Sequence, residues 1–348
     1  MVAALAVGVV ALIASGGSSS RLASSPRGHA VGGGERGRAR PPGGVSSTTQ
    51  ATSSAPTRPR PSPPFAVGMV VVRLIDTSRS VKLANGQVVP RTLVTDVRYP
   101  AIGPAGGGEL PGARGARAGG TFPLIVFGHG FAETPALYAP LLRAWARAGY
   151  VVAAPAFPLS NTDASGGPDE SDLPNQPADM RLVISRILTA GGVASGPLAG
   201  LVDRGRIAVA GQSDGGDSAL AVAYDPPFRD PRVGAAVILS GAEIPALAGF
   251  QLPVGGPPLL ATQGTADTIN PPSSTSAFFD GAPAPKYRLE LLGASHVSPY
   301  SSQQPQLGVV QRVTTAFLDH YLKQTPGSLP RLLAAGGVPG VASLDAKP

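Results

Sequence analysis

Residues 206–224 constrain this chain most. An apolar run, Ile207 to Ala210, stops at Gly211. Ser213 follows, then Gly215 and Gly216, then an Ala/Leu-rich stretch that ends at Tyr224. The pattern predicts a strand, a tight turn and a helix, with Ser213 at the apex. Glycines at 211 and 215 let the strand and helix backbones approach each other, where a Cβ would collide. Such a turn lifts a serine hydroxyl clear of the sheet, as in the Gly-x-Ser-x-Gly nucleophile elbow. With 46 glycines in 348 residues the pentapeptide also arises by chance, so its meaning depends on what surrounds it.

The surroundings are strands alternating with helices. Met69–Ile75 reads as a strand. Val81–Leu83, Asn85-Gly86 and Val88-Val89 read as a hairpin, since Asn-Gly favours the primed turn. Thr92–Tyr99 alternates and predicts another strand, and 101–120 is a Gly/Ala/Pro loop. Phe122–Phe127 is a continuous apolar run, expected of a strand covered on both faces. Helical spacing follows over 134–148 (Leu137, Leu141, Leu142, Trp145), then a strand Tyr150–Ala154 and a polar loop 157–175 with four acids. A helix over Met180–Leu188 precedes the elbow. After it come strands Ala235–Leu239, Pro258–Thr262 and Tyr287–Leu292, a helix near 272–279 and another over 306–322. Residues 326–348, rich in Gly, Pro and Ala, read as a loose tail. The alternation implies a mostly parallel central sheet with antiparallel N-terminal strands and helices on both faces. The loops after Phe127, Ala154, Ala210, Leu239, Thr262 and Leu292 should then open onto one crevice at the strands' carboxyl ends. The short connection from Leu239 to Pro258 leaves no room for a large lid.

Charge would otherwise suggest a nucleic-acid partner, since the net charge is +7. Residues 21–64, however, hold seven arginines against one acid, Glu35, so the rest of the chain is nearly neutral. No nucleic-acid partner is expected. Residues 21–64 read as a disordered Gly/Ser/Pro/Arg-rich linker before a catalytic domain over 65–325. Val2–Ala14 is the size of a signal-peptide core, too short for a stable membrane span, within a possible signal peptide over 1–20. It lacks the usual basic start, because no Lys or Arg precedes Arg21. Export to the envelope or medium is the expectation, with a cytoplasmic location the alternative. There is no cysteine, which excludes disulfides, thiolate metal sites and a Cys nucleophile.

A serine hydroxyl needs a base. Of four histidines, His29 lies in the linker, His320 on the last helix and His129 at a strand end. His296, in Gly293-Ala294-Ser295-His296 past the last strand, is the candidate base. A carboxylate must fix its tautomer. Asp267, in Gly264-Thr265-Ala266-Asp267, is the candidate; Glu243 is its rival, and a helix-capping role for Asp267 is the bland alternative. A developing oxyanion needs donors, expected from the backbone N–H of Asp214 and of Phe131. His129, Gly130 and Gln212 are expected to face the substrate. No metal and no cofactor is called for.

These marks resemble the α/β-hydrolase superfamily over roughly residues 76–322. Within it the chain looks like the serine esterases grouped around chlorophyllases, platelet-activating-factor acetylhydrolases and cutinase-like polyester hydrolases. The matching residues are Val97-Arg98-Tyr99-Pro100, Phe127-Gly128-His129-Gly130-Phe131, Gly211-Gln212-Ser213-Asp214-Gly215-Gly216, Gly264-x-x-Asp267 with Pro271, and Ser295-His296. The resemblance implies an α/β-hydrolase fold and cleavage of small or polymeric carboxylic esters through an acyl-enzyme, without cofactor. Those relatives usually carry His or Trp at the position of Gln212, and Met, Leu or Arg at that of Asp214. An acid at 214 opposes an oxyanion if it points inward; pointing outward it merely caps the helix. The aromatic clamp of polyester hydrolases is missing from Ser240–Pro245. An amidase on the same triad, and a catalytically silent hydrolase fold used for binding, are the alternatives.

Overall fold

Phe122–Gly128 forms strand β4, and every one of its seven residues is buried. Its alternating side chains serve two cores. Leu124 and Val126 pack on one side with Met180, Val183, Ile184, Leu220 and Phe278. Ile125 and Phe127 pack on the other with Leu141, Trp145, Val310, Val313 and Phe317. A strand apolar at every position needs a layer of helices on each face, and each large side chain buried this way contributes about 1.5–3 kcal/mol. This computed structural model describes residues 62–247 and 252–348.

Around β4 the chain runs β1 (Ala66–Lys82), β2 (Val88–Ala101), β3 (Glu109–Pro111), β4, α1 (Ala139–Arg147), β5 (Val151–Ala156) and α2 (Gln176–Gly191). It continues through β6 (Val202–Gln212), α3 (Asp214–Tyr224), β7 (Val233–Leu239), β8 (Leu259–Gly264), α4 (Pro272–Gly281) and β9 (Lys286–Leu291). It ends with α5 (Ser298–Ser301), α6 (Gln306–Tyr321), α7 (Ser328–Gly336) and β10 (Ala342–Lys347). The strands form one sheet in the order β10-β9-β8-β7-β6-β4-β5-β2-β1-β3. Strands β5, β4, β6, β7, β8 and β9 are mutually parallel. β2 joins β5 antiparallel, and β1 joins β2 antiparallel. This is the α/β-hydrolase arrangement. From β4 the chain crosses outward to β5 and then returns to β6 on the other flank. The sheet order therefore reverses beside β4 and β6, and the crevice opens at their carboxyl ends.

The Asn85-Gly86 hairpin is present, and its arms run on into the flanking strands as β1 and β2, through a register shift between Asp76 and Ser80. Two expectations are corrected. The loop 101–120 holds β3, which pairs parallel with β1. Residues 326–348 are not loose: α7 packs on the sheet through Leu332, and β10 extends the sheet by pairing antiparallel with β9 from Ala342↔Leu291 to Lys347↔Lys286. The small residues of this segment suit an edge strand and a close-packed helix. The export segment and, up to residue 61, the linker lie outside the described residues, as does part of the β7–β8 connection. Among the described residues no helix is long and apolar enough to cross a membrane.

The loop 157–175 is tethered from below. Arg91, 1 % exposed, forks onto Asp172 through both terminal nitrogens (2.8 and 2.7 Å) and onto Asp179 through Nε (2.7 Å). A buried charge is tolerable only when paired this fully. The pairing fixes the 3-10 turn Glu170–Asn175 against the start of α2.

Candidate active site

Ser213 sits between β6 and α3 with φ 50° and ψ −127°. A non-glycine residue in this region stores about 1–3 kcal/mol of strain. The packing around it enforces that conformation. A Cβ on Gly211 would lie 2.0 Å from Gly215 O, and one on Gly215 would lie 2.2 Å from Gly128 C. The strand, the helix and the end of β4 are thus in backbone contact, which requires glycine at 211 and 215. Ser213 does not use its side chain to cap α3. Among the described residues its hydroxyl has no hydrogen-bond partner, His296 included.

His296 lies in the loop after β9, only 7 % exposed. Its Nδ1 lies 2.7 Å from Asp267 Oδ2. That bond places the Nδ1 proton toward the carboxylate and leaves Nε2 as the acceptor. The two loops are sewn together. Ala266 N donates to Ala294 O (2.9 Å), Gly293 N to Thr265 Oγ1 (2.8 Å), and a Cβ on Gly264 would strike Ala294 O at 2.4 Å. Asp267 also accepts from the backbone N–H groups of Ile269 and Asn270, both 3.0 Å away. α4 begins at Pro272 behind an N-cap of Pro271, so Asp267 does not cap it. Burial alone would raise the Asp267 carboxyl. The hydrogen bond and charge of His296, with the Ile269 amide, bring it below its ordinary value. The rival Glu243 is exposed.

The elbow is tied to the histidine loop through Gln212, whose Nε2 donates to His296 O at 3.0 Å. Tyr138, just before α1, donates to Gln212 Oε1 at 2.7 Å and also contacts Glu133 Oε2. Gln212 is 0 % exposed and does not face a substrate. His129 and Gly130 are buried too, so all three substrate-facing expectations are corrected. His129 shapes the loop: its Nδ1 bonds Gly130 O (2.8 Å), and its Nε2 accepts from Phe157 N (3.0 Å). Burial pushes it down to about 4. With both nitrogens occupied inside the core, it cannot act as the base. Sequence reasoning missed Glu133 and Tyr138; an acid two residues past Gly128-His129-Gly130-Phe131 was the available signal.

The loop after β4 presents Phe131, 36 % exposed. Its neighbours' amides are committed, Gly130 N to Tyr138 Oη (3.4 Å) and Ala132 N to Ser160 O (2.8 Å). Asp214 opens α3, where helix N–H groups favour negative charge. Its side chain is buried, 5 % exposed, and among the described residues Oδ2 has no hydrogen-bond partner. Burial, then the charge of Glu170, raises its carboxyl to about 6, against the opposing pull of His296.

No curated protein matches the chain. Residues 115–230 match the family model for chlorophyllase. That match takes in the loop after β4 and the elbow, and ends before the loops that carry Asp267 and His296. The sheet order, the elbow and this match together identify an α/β-hydrolase fold in which residues 115–230 are similar to the chlorophyllase family, a family of serine ester hydrolases.

Proposed function

We propose that the protein cleaves carboxylic esters through an acyl-enzyme on Ser213. His296 Nε2 takes the hydroxyl proton as Ser213 attacks the ester carbonyl, then returns it to the leaving alcohol. Asp267 holds the imidazole by its Nδ1 proton and steadies the imidazolium. The N–H groups of Phe131 and Asp214 receive the oxyanion, each worth about 3 kcal/mol to the transition state. Water repeats the sequence to release the acid. Catalytic hydrogen bonds are often long before substrate binds, so Ser213 and His296 close on each other as the ester enters. The reading requires no cofactor or metal, and it carries with it the proposal that the chain is exported.

The 2.7 Å contact between His296 Nδ1 and Asp267 Oδ2, in loops joined to a strained serine through Gln212, is the observation that carries this reading. The test is turnover of 4-nitrophenyl esters by Ser213→Ala, with circular dichroism to confirm its fold. Loss of turnover in a folded variant supports the reading, and retained turnover removes it. The buried carboxylate of Asp214, next to the nucleophile, favours a second reading, a silent hydrolase fold used for binding, since a charge there opposes an oxyanion. That reading requires the wild-type protein to be inert toward every ester offered.

A further inference from the structure

The hydrogen bonds around Tyr138 do not close if Glu133 is ionised. Gln212 Nε2 lies 3.0 Å from His296 O. A backbone carbonyl only accepts, so the amide faces it with its NH2 group, and Oε1 is left facing Tyr138 Oη at 2.7 Å. Glu133 Oε2 contacts the same hydroxyl. The two acceptor oxygens converge: a Cβ on Gly130 would lie 2.6 Å from Gln212 Oε1 and 2.7 Å from Glu133 Oε2. Gly130 N approaches Tyr138 Oη at 3.4 Å and uses the hydroxyl as an acceptor. A phenol has one proton to give. With a carboxylate and an amide oxygen both facing it, one of the two lacks a donor.

A protonated Glu133 supplies the missing proton. Its carboxyl donates to Tyr138 Oη, Tyr138 donates to Gln212 Oε1, and Gln212 donates to His296 O. Each polar atom along this path then meets a partner of the opposite kind. The surroundings favour that state. Among the described residues no Lys or Arg pairs with Glu133. Burial raises its carboxyl, against the Tyr138 hydrogen bond, the charge of His296 and the Gly130 amide. Asp214 interacts with it as a like charge. The backbone here is anchored separately: Thr162 N donates to Glu133 O (3.3 Å) and Ala132 N to Ser160 O (2.8 Å). The path therefore runs from the loop that presents Phe131, through the residue before Ser213, to the loop that carries His296.

We propose that Glu133 works as a neutral carboxylic acid, and that Glu133, Tyr138 and Gln212 are positioning residues that hold the oxyanion loop and the base loop in one arrangement about Ser213. The inference rests on the ester hydrolase reading above. Ionising Glu133 draws the Tyr138 proton to the carboxylate and releases Gln212, so the arrangement loosens as pH rises. The first test is carbon-13 NMR of protein labelled at the glutamate side-chain carboxyls, with the Glu133 signal identified by its loss in Glu133→Gln. That signal is expected to hold its protonated position well past the pH at which a free glutamate titrates. Titration at the free value overturns the proposal, whatever the activity. The second test is kinetic, on 4-nitrophenyl butyrate. Glu133→Ala and Tyr138→Phe are expected to lower kcat about tenfold with KM little changed. Glu133→Gln, whose amide N–H replaces the carboxyl proton, should regain most of that loss and should not share the decline of wild-type kcat as the Glu133 signal moves. Undiminished kcat in Glu133→Ala, or no recovery in Glu133→Gln, overturns the positioning role and leaves the hydrolase reading standing. If the wild type turns over no ester, the hydrolase reading is what fails, and the NMR titration still decides the state of Glu133.

Discussion

Replacing Asp214 with Asn should stabilise the protein in a pH-dependent way. The carboxyl rises from its ordinary 3.8 to about 6, first through burial and then through Glu170. At about 1.4 kcal/mol per pH unit, the gap is worth about 3 kcal/mol, and partial solvent access trims it to about 2 kcal/mol. A carboxyl raised in the folded state contributes its full stability below about pH 4, and that contribution is lost as pH rises through about 6. Asn carries no charge to bury. The stability advantage of Asp214→Asn should therefore grow by about 1 kcal/mol or more between pH 4.5 and pH 8. Urea denaturation followed by the fluorescence of Trp145, the single tryptophan and fully buried, measures it directly. An advantage that stays flat across that range would refute the buried, desolvated placement of Asp214.

Other outcomes follow from the same geometry. Asp267→Asn should lower kcat by about 10³–10⁴, because the amide cannot hold the same imidazole tautomer; steady-state kinetics on a 4-nitrophenyl ester reads it, and a loss below tenfold contradicts the role. Gly211→Ala places a Cβ 2.0 Å from Gly215 O and should cost about 3 kcal/mol or more, read from the denaturation midpoint or from loss of soluble protein. His129→Phe strands the Phe157 N–H and should cost about 2 kcal/mol of stability, while the pH profile of kcat keeps its shape. A changed profile would return His129 to the list of bases.

Much of the architecture was legible because its signal is local. The apolar run of β4 and the Gly211-x-Ser213-x-Gly215 turn each need only their own residues to be read. The terminal segment was not legible: Ala342–Lys347 carries little apolar weight and becomes a strand only because the edge of β9 accepts it. At the site, Ser213, Asp267 and His296 could be placed from their positions just past apolar strands. Their contacts could not. Gln212 and His129 read as substrate-facing because they flank the elbow and the loop after β4. Their full burial comes from partners far along the chain, Tyr138 and His296 for one and Phe157 for the other. The burial of Asp214 was likewise open in the sequence, since it depends on what packs over the start of α3.

The proposed chemistry rests on one serine made nucleophilic by one histidine. The direct measurement is covalent labelling by a fluorophosphonate, with the modified peptide located by mass spectrometry. Stoichiometric label is expected on Ser213 in the wild-type protein and almost none in a folded His296→Ala variant. An unlabelled wild type, or undiminished labelling without His296, would contradict it.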